Sequence, residues 1–153
     1  MKAIDLAEYV IWYAEIHKYQ ITNLRLQKIL FFLEGYSWRY FSRSAFEEDI
    51  EWWQYGPLIP IVYFYFNNHT GEPLCYHVTA PLFPSKDIRS LYDIVIQHCF
   101  QLSIRDLVDM TVSKKEPLTY RAKYRPGSLD LLVVSRQDIQ SYFANENPLN
   151  LKE

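Results

Sequence analysis

The sequence predicts a mainly α, single-domain helical bundle of about five to seven helices with a minor two-stranded β element. Three observations carry this expectation. The chain has 153 residues, and its 49% hydrophobic to 22% charged balance suits one globular domain with a real core. Residues 22–42 are apolar almost all round at helical length, which marks a buried central helix. Thr22, Ser85, Ser103 and Ser135 each stand directly before a helix-like stretch, where a hydroxyl can accept from an orphan backbone N–H.

In chain order, residues 3–19 read as an amphipathic helix. Ile4, Ala7, Ile11 and Ala14, widened by Val10, form its apolar stripe. Asp5, Glu8 and Glu15 lie opposite, with Trp12 and Tyr19 among them. The second helix runs from Thr22 to about Ser42, with Arg25, Lys28, Arg39 and Ser42 on a narrow polar side. Gly35 inside it costs about 1 kcal/mol relative to Ala, so a close approach by a neighbouring element is expected there. Ile50–Trp53 is a short extended piece, and Gly56-Pro57 is a turn signal. Pro60 opens a third helix over 60–68, because a first-turn residue does not need its N–H. Residues 71–84, with Gly71, Pro73, Pro81 and Pro84, read as loop with a short strand at 75–79. Ser85 caps a helix over 86–101, with Ile88, Leu91, Tyr92, Val95 and Cys99 on one face. Ser103 with Asp106 caps another to about Val112, and Ser135 with Asp138 caps the last, to about Asn145. Between them, Pro117 opens a short helix and Gly127 ends that region. Residues 131–134 are extended and pair with 50–53. The domain is expected over 1–146, with 147–153 a flexible tail.

Composition removes several function classes. A net charge of −2 argues against non-specific nucleic-acid binding, and no helix-turn-helix pattern is convincing. Early acids interrupt any signal-peptide apolar run, no segment approaches the ~20 apolar residues of a membrane span, and two cysteines make no disulfide framework. A cytoplasmic protein is expected. Catalysis and metal binding find little support. His17, His69, His77 and His98 with Cys75 and Cys99 lack paired-ligand spacing, and 4 glycines leave no phosphate loop. The expectation is a non-enzyme with no cofactor and no metal; a Cys or His hydrolase ranks far lower.

Two segments carry more. ITNLRLQKILFFLEG at 21–35 contains Thr22, Asn23, Leu24, Leu26, Gln27, Lys28, Leu30 and Gly35. IEWWQYGPLIPIVY at 50–63 contains Glu51, Trp53, Tyr55, Gly56, Pro57, Pro60, Val62 and Tyr63. Together they resemble the SocA-like antitoxins, or Panacea domain, a family of bacterial and phage-associated proteins. Leu33, Glu34 and Trp52 depart from its usual residues. A third segment keeps Leu107, Thr111 and Pro117 but has Val112 and Leu118 in place of the family's His and Trp. The resemblance implies a non-enzymatic antitoxin that binds and neutralises a cognate toxin protein. The alternatives it implies are an adaptor delivering a partner to an AAA+ protease, or a phage-encoded regulator of a host protein. The motif residues Thr22, Leu26, Gln27, Lys28, Gly35, Trp53, Gly56, Pro57, Pro60 and Tyr63 are read as structural.

Partner contacts are expected from aromatics, which dominate interface hot spots. The chain holds 13 Tyr, 9 Phe and 4 Trp, more than a core of this size needs. The candidates are Trp12, Tyr19, Trp52, Tyr55 and Tyr65. Trp12 and Tyr19 sit off the regular apolar stripe, and Trp52 stands where the resembling family has a small residue. Tyr63, Phe64, Tyr65 and Phe66 are four consecutive aromatics that one short helix cannot bury together. The basic stretch Lys114, Lys115, Arg121, Lys123 and Arg125 is ordinarily a solvated surface, with a partner's acidic groups or phosphates as its other use.

Overall fold

The computed structural model describes residues 1–67, 71–74, 83, 85–111 and 133–152. Among the described residues there are six helices and three short strands: α1 Ala3–Ile16, α2 Asn23–Phe41, β1 Ile50–Trp53, β2 Gly56–Leu58, α3 Pro60–Tyr65, α4 Lys86–Gln101, α5 Ile104–Thr111, β3 Val133–Val134 and α6 Arg136–Asn145. Mainly helical architecture with a minor sheet is therefore the fold. The expected strand at 75–79, helix at 117 and basic stretch at 114–125 lie outside the described residues.

The Ser and Thr caps locate helix starts. Thr22 Oγ1 accepts from Arg25 N–H, Ser85 Oγ from Ile88, Ser103 Oγ from Asp106 and Ser135 Oγ from Asp138, at 3.0–3.3 Å. α2 ends where Ser42 turns into the left-handed region at φ 52° and its N–H bonds Trp38 O. α1 stops at Ile16, three residues before the expected end. Lys18 takes φ 58°, and Tyr19 N–H closes back on Ala14 O at 2.8 Å. α3 is also shorter than expected, for a reason given below.

α2 is the central post. It touches every other described helix and β2. Leu26, Ile29, Leu30, Phe31, Phe32, Leu33 and Tyr36 are all buried. α1 buries more of its circumference than the expected stripe, adding Leu6, Tyr9 and Tyr13, while Ile4 is only half-buried.

The sheet has three strands in the order β2-β1-β3, not two. β1 pairs antiparallel with β3, Ile50 opposite Val134, as the extended pieces suggested. It also pairs with β2, Trp53 opposite Gly56 and Trp52 opposite Pro57. Gly56-Pro57 is thus the start of a strand rather than the turn, which is Gln54-Tyr55. β2 is an edge strand, where a proline's missing N–H costs no ladder bond.

Gly35 meets its expected neighbour. A Cβ placed there would lie 2.1–2.3 Å from the Phe143 ring of α6. Phe143 in turn packs edge-on to Phe31, Phe32 and Tyr36 at 5.3–6.3 Å between ring centres. At the neighbouring position, buried Glu34 fixes the start of α6. Its carboxylate pairs with Arg136 Nη1 at 2.5 Å and accepts from Ser44 Oγ, Ala45 N and Trp38 Nε1 at 2.7–3.0 Å.

The expected flexible tail packs instead on the bundle as far as Leu151. Leu149 and Leu151 are buried, Tyr36 Oη donates to Asn147 Oδ1 at 2.7 Å, and Leu149 N–H donates to Tyr36 Oη at 2.8 Å.

The Gly35 contact makes a test. Gly35→Ala gains helix propensity yet drives a methyl group into a ring locked by three others, so a loss of about 1–3 kcal/mol is expected. Urea denaturation measures it. Adding Phe143→Leu to Gly35→Ala should cost less than the two single changes summed. Strict additivity would show that the two residues do not compete for the space.

Candidate functional site

The two signature segments meet in space. α2 reaches the β1–β2 hairpin and α3 through three polar side chains on its first two turns. Asn23 Nδ2 donates to Tyr63 O at 2.9 Å and Phe66 O at 3.4 Å, taking up carbonyls at the C-terminal end of α3. That engagement accounts for the early end of α3, since those carbonyls are already satisfied. Gln27 Oε1 accepts from Ile59 N–H at 2.8 Å, just before α3, while Gln27 Nε2 donates to Asn23 Oδ1 at 3.0 Å. Lys28 Nζ donates to Tyr55 O and, at 3.2 Å, to Pro57 O, on both sides of Gly56. All three side chains are buried. The motif residues are therefore brackets: they hold one short helix and one hairpin against α2.

Lys28 is 1% exposed. Burial pushes its ammonium down to about 7, because a desolvated cation favours its neutral form. The two hairpin carbonyls are the groups that stabilise the charge. Gly56 sits between them at φ +96°, a conformation that disfavours side chains.

Beside this bracket lies an open groove of about 600 Å³. Thr22, Leu24, Gln27 and Lys28 contribute from α2 and its cap, Trp53, Tyr55 and Leu58 from the hairpin, Tyr63 from α3 and Ile104 from α5. Its rim carries an aromatic face. Trp53 packs on Tyr63 at 5.5 Å and on Phe64 at 6.1 Å between ring centres, and Trp53 Nε1 donates to Glu51 Oε2 at 2.8 Å. Tyr55, Phe64 and Tyr65 are 56%, 62% and 57% exposed, and Ile61 accompanies them. Phe66 is buried. The run of four aromatics thus divides into one core ring, one wall ring and two presented to solvent.

The five partner candidates separate. Tyr55 lines the groove, and Tyr65 is exposed on α3. Trp52 is half-buried against the core. Trp12 and Tyr19 are half-buried against α4: Trp12 lies against Tyr9 and under Arg89, and Tyr19 stacks on Phe100 at 4.5 Å. Phe64 and Ile61 were missed as individual candidates. The signal for Phe64 was the crowding of four aromatics on a short helix; Ile61 had none.

Reactive groups stand apart. Cys99 is fully buried, and burial pushes its thiol up, away from the thiolate a nucleophile needs. His98 is exposed on α4, with Nδ1 2.9 Å from Ile94 O. Cys75, His69 and His77 lie outside the described residues.

Two measurements check the bracket. Gly56→Val should lower the melting temperature, since a β-branched residue cannot adopt φ +96° cheaply and must also precede Pro57. An unchanged melt would contradict the backbone argument. For Lys28, the folded chain releases its proton near 7 and the unfolded chain near 10.5. Between those values the unfolded state binds more protons, so stability rises with pH, by at most about 1.4 kcal/mol per unit. Below 7 both states are protonated and the desolvation penalty is fully in place. Wild type should gain stability relative to Lys28→Met from pH 7 to 9.5; parallel curves would show that the ammonium is not desolvated.

Comparison with known proteins agrees with the two segments. The family model for the SocA-like antitoxin, Panacea domain, matches residues 26–117. No curated protein and no solved structure matches the chain. The match spans most of the sequence and takes in Gln27, Lys28, Gly35, the hairpin and α3, so the chain belongs to the SocA-like antitoxin, Panacea-domain family.

Proposed function

We propose that this protein neutralises a cognate toxin by direct, stoichiometric binding, without catalysis, and that the toxin docks on the aromatic face of the hairpin tip and α3. Membership of an antitoxin family supports a toxin as partner. The single observation that carries the choice of face is the exposure of Tyr55, Phe64 and Tyr65 beside Ile61, all within one short stretch of chain. Large rings left in water beside half-buried ones suit an interface centre, where a few aromatic anchors supply most of the affinity. Their footing suits the task as well. Asn23, Gln27 and Lys28 bind the backbone beneath them, so the face is held in place before a partner arrives, which lowers the ordering cost of association. The buried thiol of Cys99 fits a binder better than a hydrolase.

Among the described residues no helix is long and apolar enough to cross a membrane, and a protein partner requires no such span.

The test is co-expression with any adjacent open reading frame that proves toxic when expressed alone. Phe64→Ala and Tyr65→Ala should each weaken toxin binding by about 2 kcal/mol, roughly thirtyfold, with little change in melting temperature. Trp12→Ala and Trp52→Ala remove half-buried packing and should chiefly lower stability. Full affinity in both Phe64→Ala and Tyr65→Ala would move the binding face elsewhere. Neutralisation that persists in cells lacking ATP-dependent proteases separates a simple inhibitor from a protease adaptor.

A further inference from the structure

We infer that the outer side of the hairpin receives an arginine side chain of the partner, its guanidinium stacked on Trp53 beside Tyr63, with Glu51 supplying negative charge behind the indole. The inference rests on the antitoxin reading for the partner's identity; the chemistry of the platform stands by itself.

Strand alternation builds the platform. Successive side chains of β1 point to opposite faces. Ile50 and Trp52 pack on the core, so Glu51 and Trp53 point the other way. There Trp53 and Tyr63 both line the groove, their ring centres 5.5 Å apart and their planes at 51°. Trp53 is only half-buried, so part of its ring is open to an incoming group. Glu51 is 8% exposed, and its Oε2 accepts from Trp53 Nε1 at 2.8 Å. That bond fixes the plane of the indole. It also pushes electron density into the ring, whose face is already the negative pole of its quadrupole. A cation on such a face is attracted without touching Glu51, which acts through the indole as a positioning residue.

The chain already holds one guanidinium on the same set of groups. Arg89 lies 5.8 Å over the ring of Trp12 and 5.9 Å over that of Tyr9, and those two ring centres are 5.4 Å apart. The carboxylate of that set is Asp93, 3.9 Å from Arg89 Nε and hydrogen-bonded by Tyr9 Oη. Trp53, Tyr63 and Glu51 repeat the tryptophan, the tyrosine and the carboxylate bonded to one of the two rings. Arginine fits better than lysine, because a planar guanidinium stacks on a ring while a compact ammonium stays strongly hydrated. Lys28 also lines the groove, but its ammonium is turned to the carbonyls of Tyr55 and Pro57, whereas Glu51 bonds the indole itself. Arginine is moreover enriched among the residues that anchor interfaces.

The test titrates the full-length protein with acetyl-Gly-Arg-Gly amide and follows the indole N–H resonance of Trp53, identified by its loss in Trp53→Phe. Two controls replace the arginine by citrulline, its neutral planar isostere, and by lysine. The arginine peptide should shift the resonance saturably and bind at least about threefold tighter than either control, the gain of one cation–π contact. Glu51→Gln keeps an acceptor for the indole N–H and removes the charge, so it should lose that preference. The wild-type comparison decides by itself where Glu51→Gln melts early. Equal affinity of the arginine and citrulline peptides, equal affinity of the lysine peptide, or an arginine preference that survives in folded Glu51→Gln would each overturn the inference. So would a Trp53 resonance that moves as far, with no peptide present, on Arg121→Gln or Arg125→Gln, since the platform would then serve this chain's own cations. The two readings fail separately. No arginine preference in a protein that still neutralises its toxin removes this assignment alone, and an arginine preference in a protein that captures no toxin removes the antitoxin reading alone.

Discussion

Lys28 is a charged side chain buried on the central helix, and its ammonium holds the backbone of the β-hairpin. The same arrangement recurs along α2. Arg25 Nη1 donates to Cys99 O and Leu102 O at 2.8 Å, at the C-terminal end of α4. Arg39 Nη1 donates to Phe143 O at 2.8 Å and Glu146 O at 3.4 Å, at the C-terminal end of α6. Asn23 does this for α3, and Glu34 accepts from the chain between α2 and β1. Each helix end leaves carbonyls without intrahelical partners, and burying them unmet costs about 1–3 kcal/mol apiece. The polar side of α2 therefore organises the bundle by completing the backbone of its neighbours. A purely hydrophobic α2 would pack them but would not set where they end.

This explains why some of the architecture was legible in the sequence. Helix starts depend on a hydroxyl just before the first turn that accepts from an N–H three residues on, a local relation, so Ser85, Ser103 and Ser135 mark α4, α5 and α6 accurately. Gly35 announces a close neighbour because no other reason accounts for glycine inside a buried helix. The identity of that neighbour, Phe143, is a relation across 108 positions and carries no local trace. Likewise Arg25, Lys28 and Arg39 form a stripe that looks solvated on a helical wheel. Their partners are carbonyls, which every residue possesses, so composition cannot reveal them. Gly56-Pro57 misleads for a different reason. The pair suits a turn, but at a sheet edge the same two residues fit a strand, and only β1's position decides.

The two signature segments were read as structural, and Asn23, Gln27 and Lys28 of the first bind the backbone of the second. The aromatic surplus pointed to presented rings, and Tyr55 and Tyr65 are presented. Trp12 and Tyr19 drew attention because they leave the apolar stripe of α1. A stripe computed from one helix ignores a second helix packing on its flank, and α4 supplies Arg89 and Phe100 to cover them. The tail followed the same logic. A polar terminal stretch looks unattached until Tyr36, on the central helix, offers a hydroxyl that serves as donor to Asn147 and acceptor from Leu149.

Two adjacent positions on α2 show how the bracket principle divides between specificity and adhesion. Gly35 lets Phe143 sit against the helix backbone, a contact that depends on shape and tolerates any sliding that keeps the ring in place. Glu34 fixes the other end of α6 through Arg136, which also reaches Ser44 and, at 2.6 Å, Glu48 O. A buried ion pair adds little net stability over an apolar pair, but breaking one partner strands a charge at a cost of about 3–5 kcal/mol. Its contribution is to exclude other registers of α6. β3 immediately precedes α6, and its partner β1 carries the hairpin whose tip presents Tyr55. Register errors at Glu34 would thus travel through β3 and β1 to the aromatic face, while Lys28 holds the same hairpin from below. The presented rings are constrained from both ends by charges on a single helix, which is the condition for a short exposed loop to keep one shape in water.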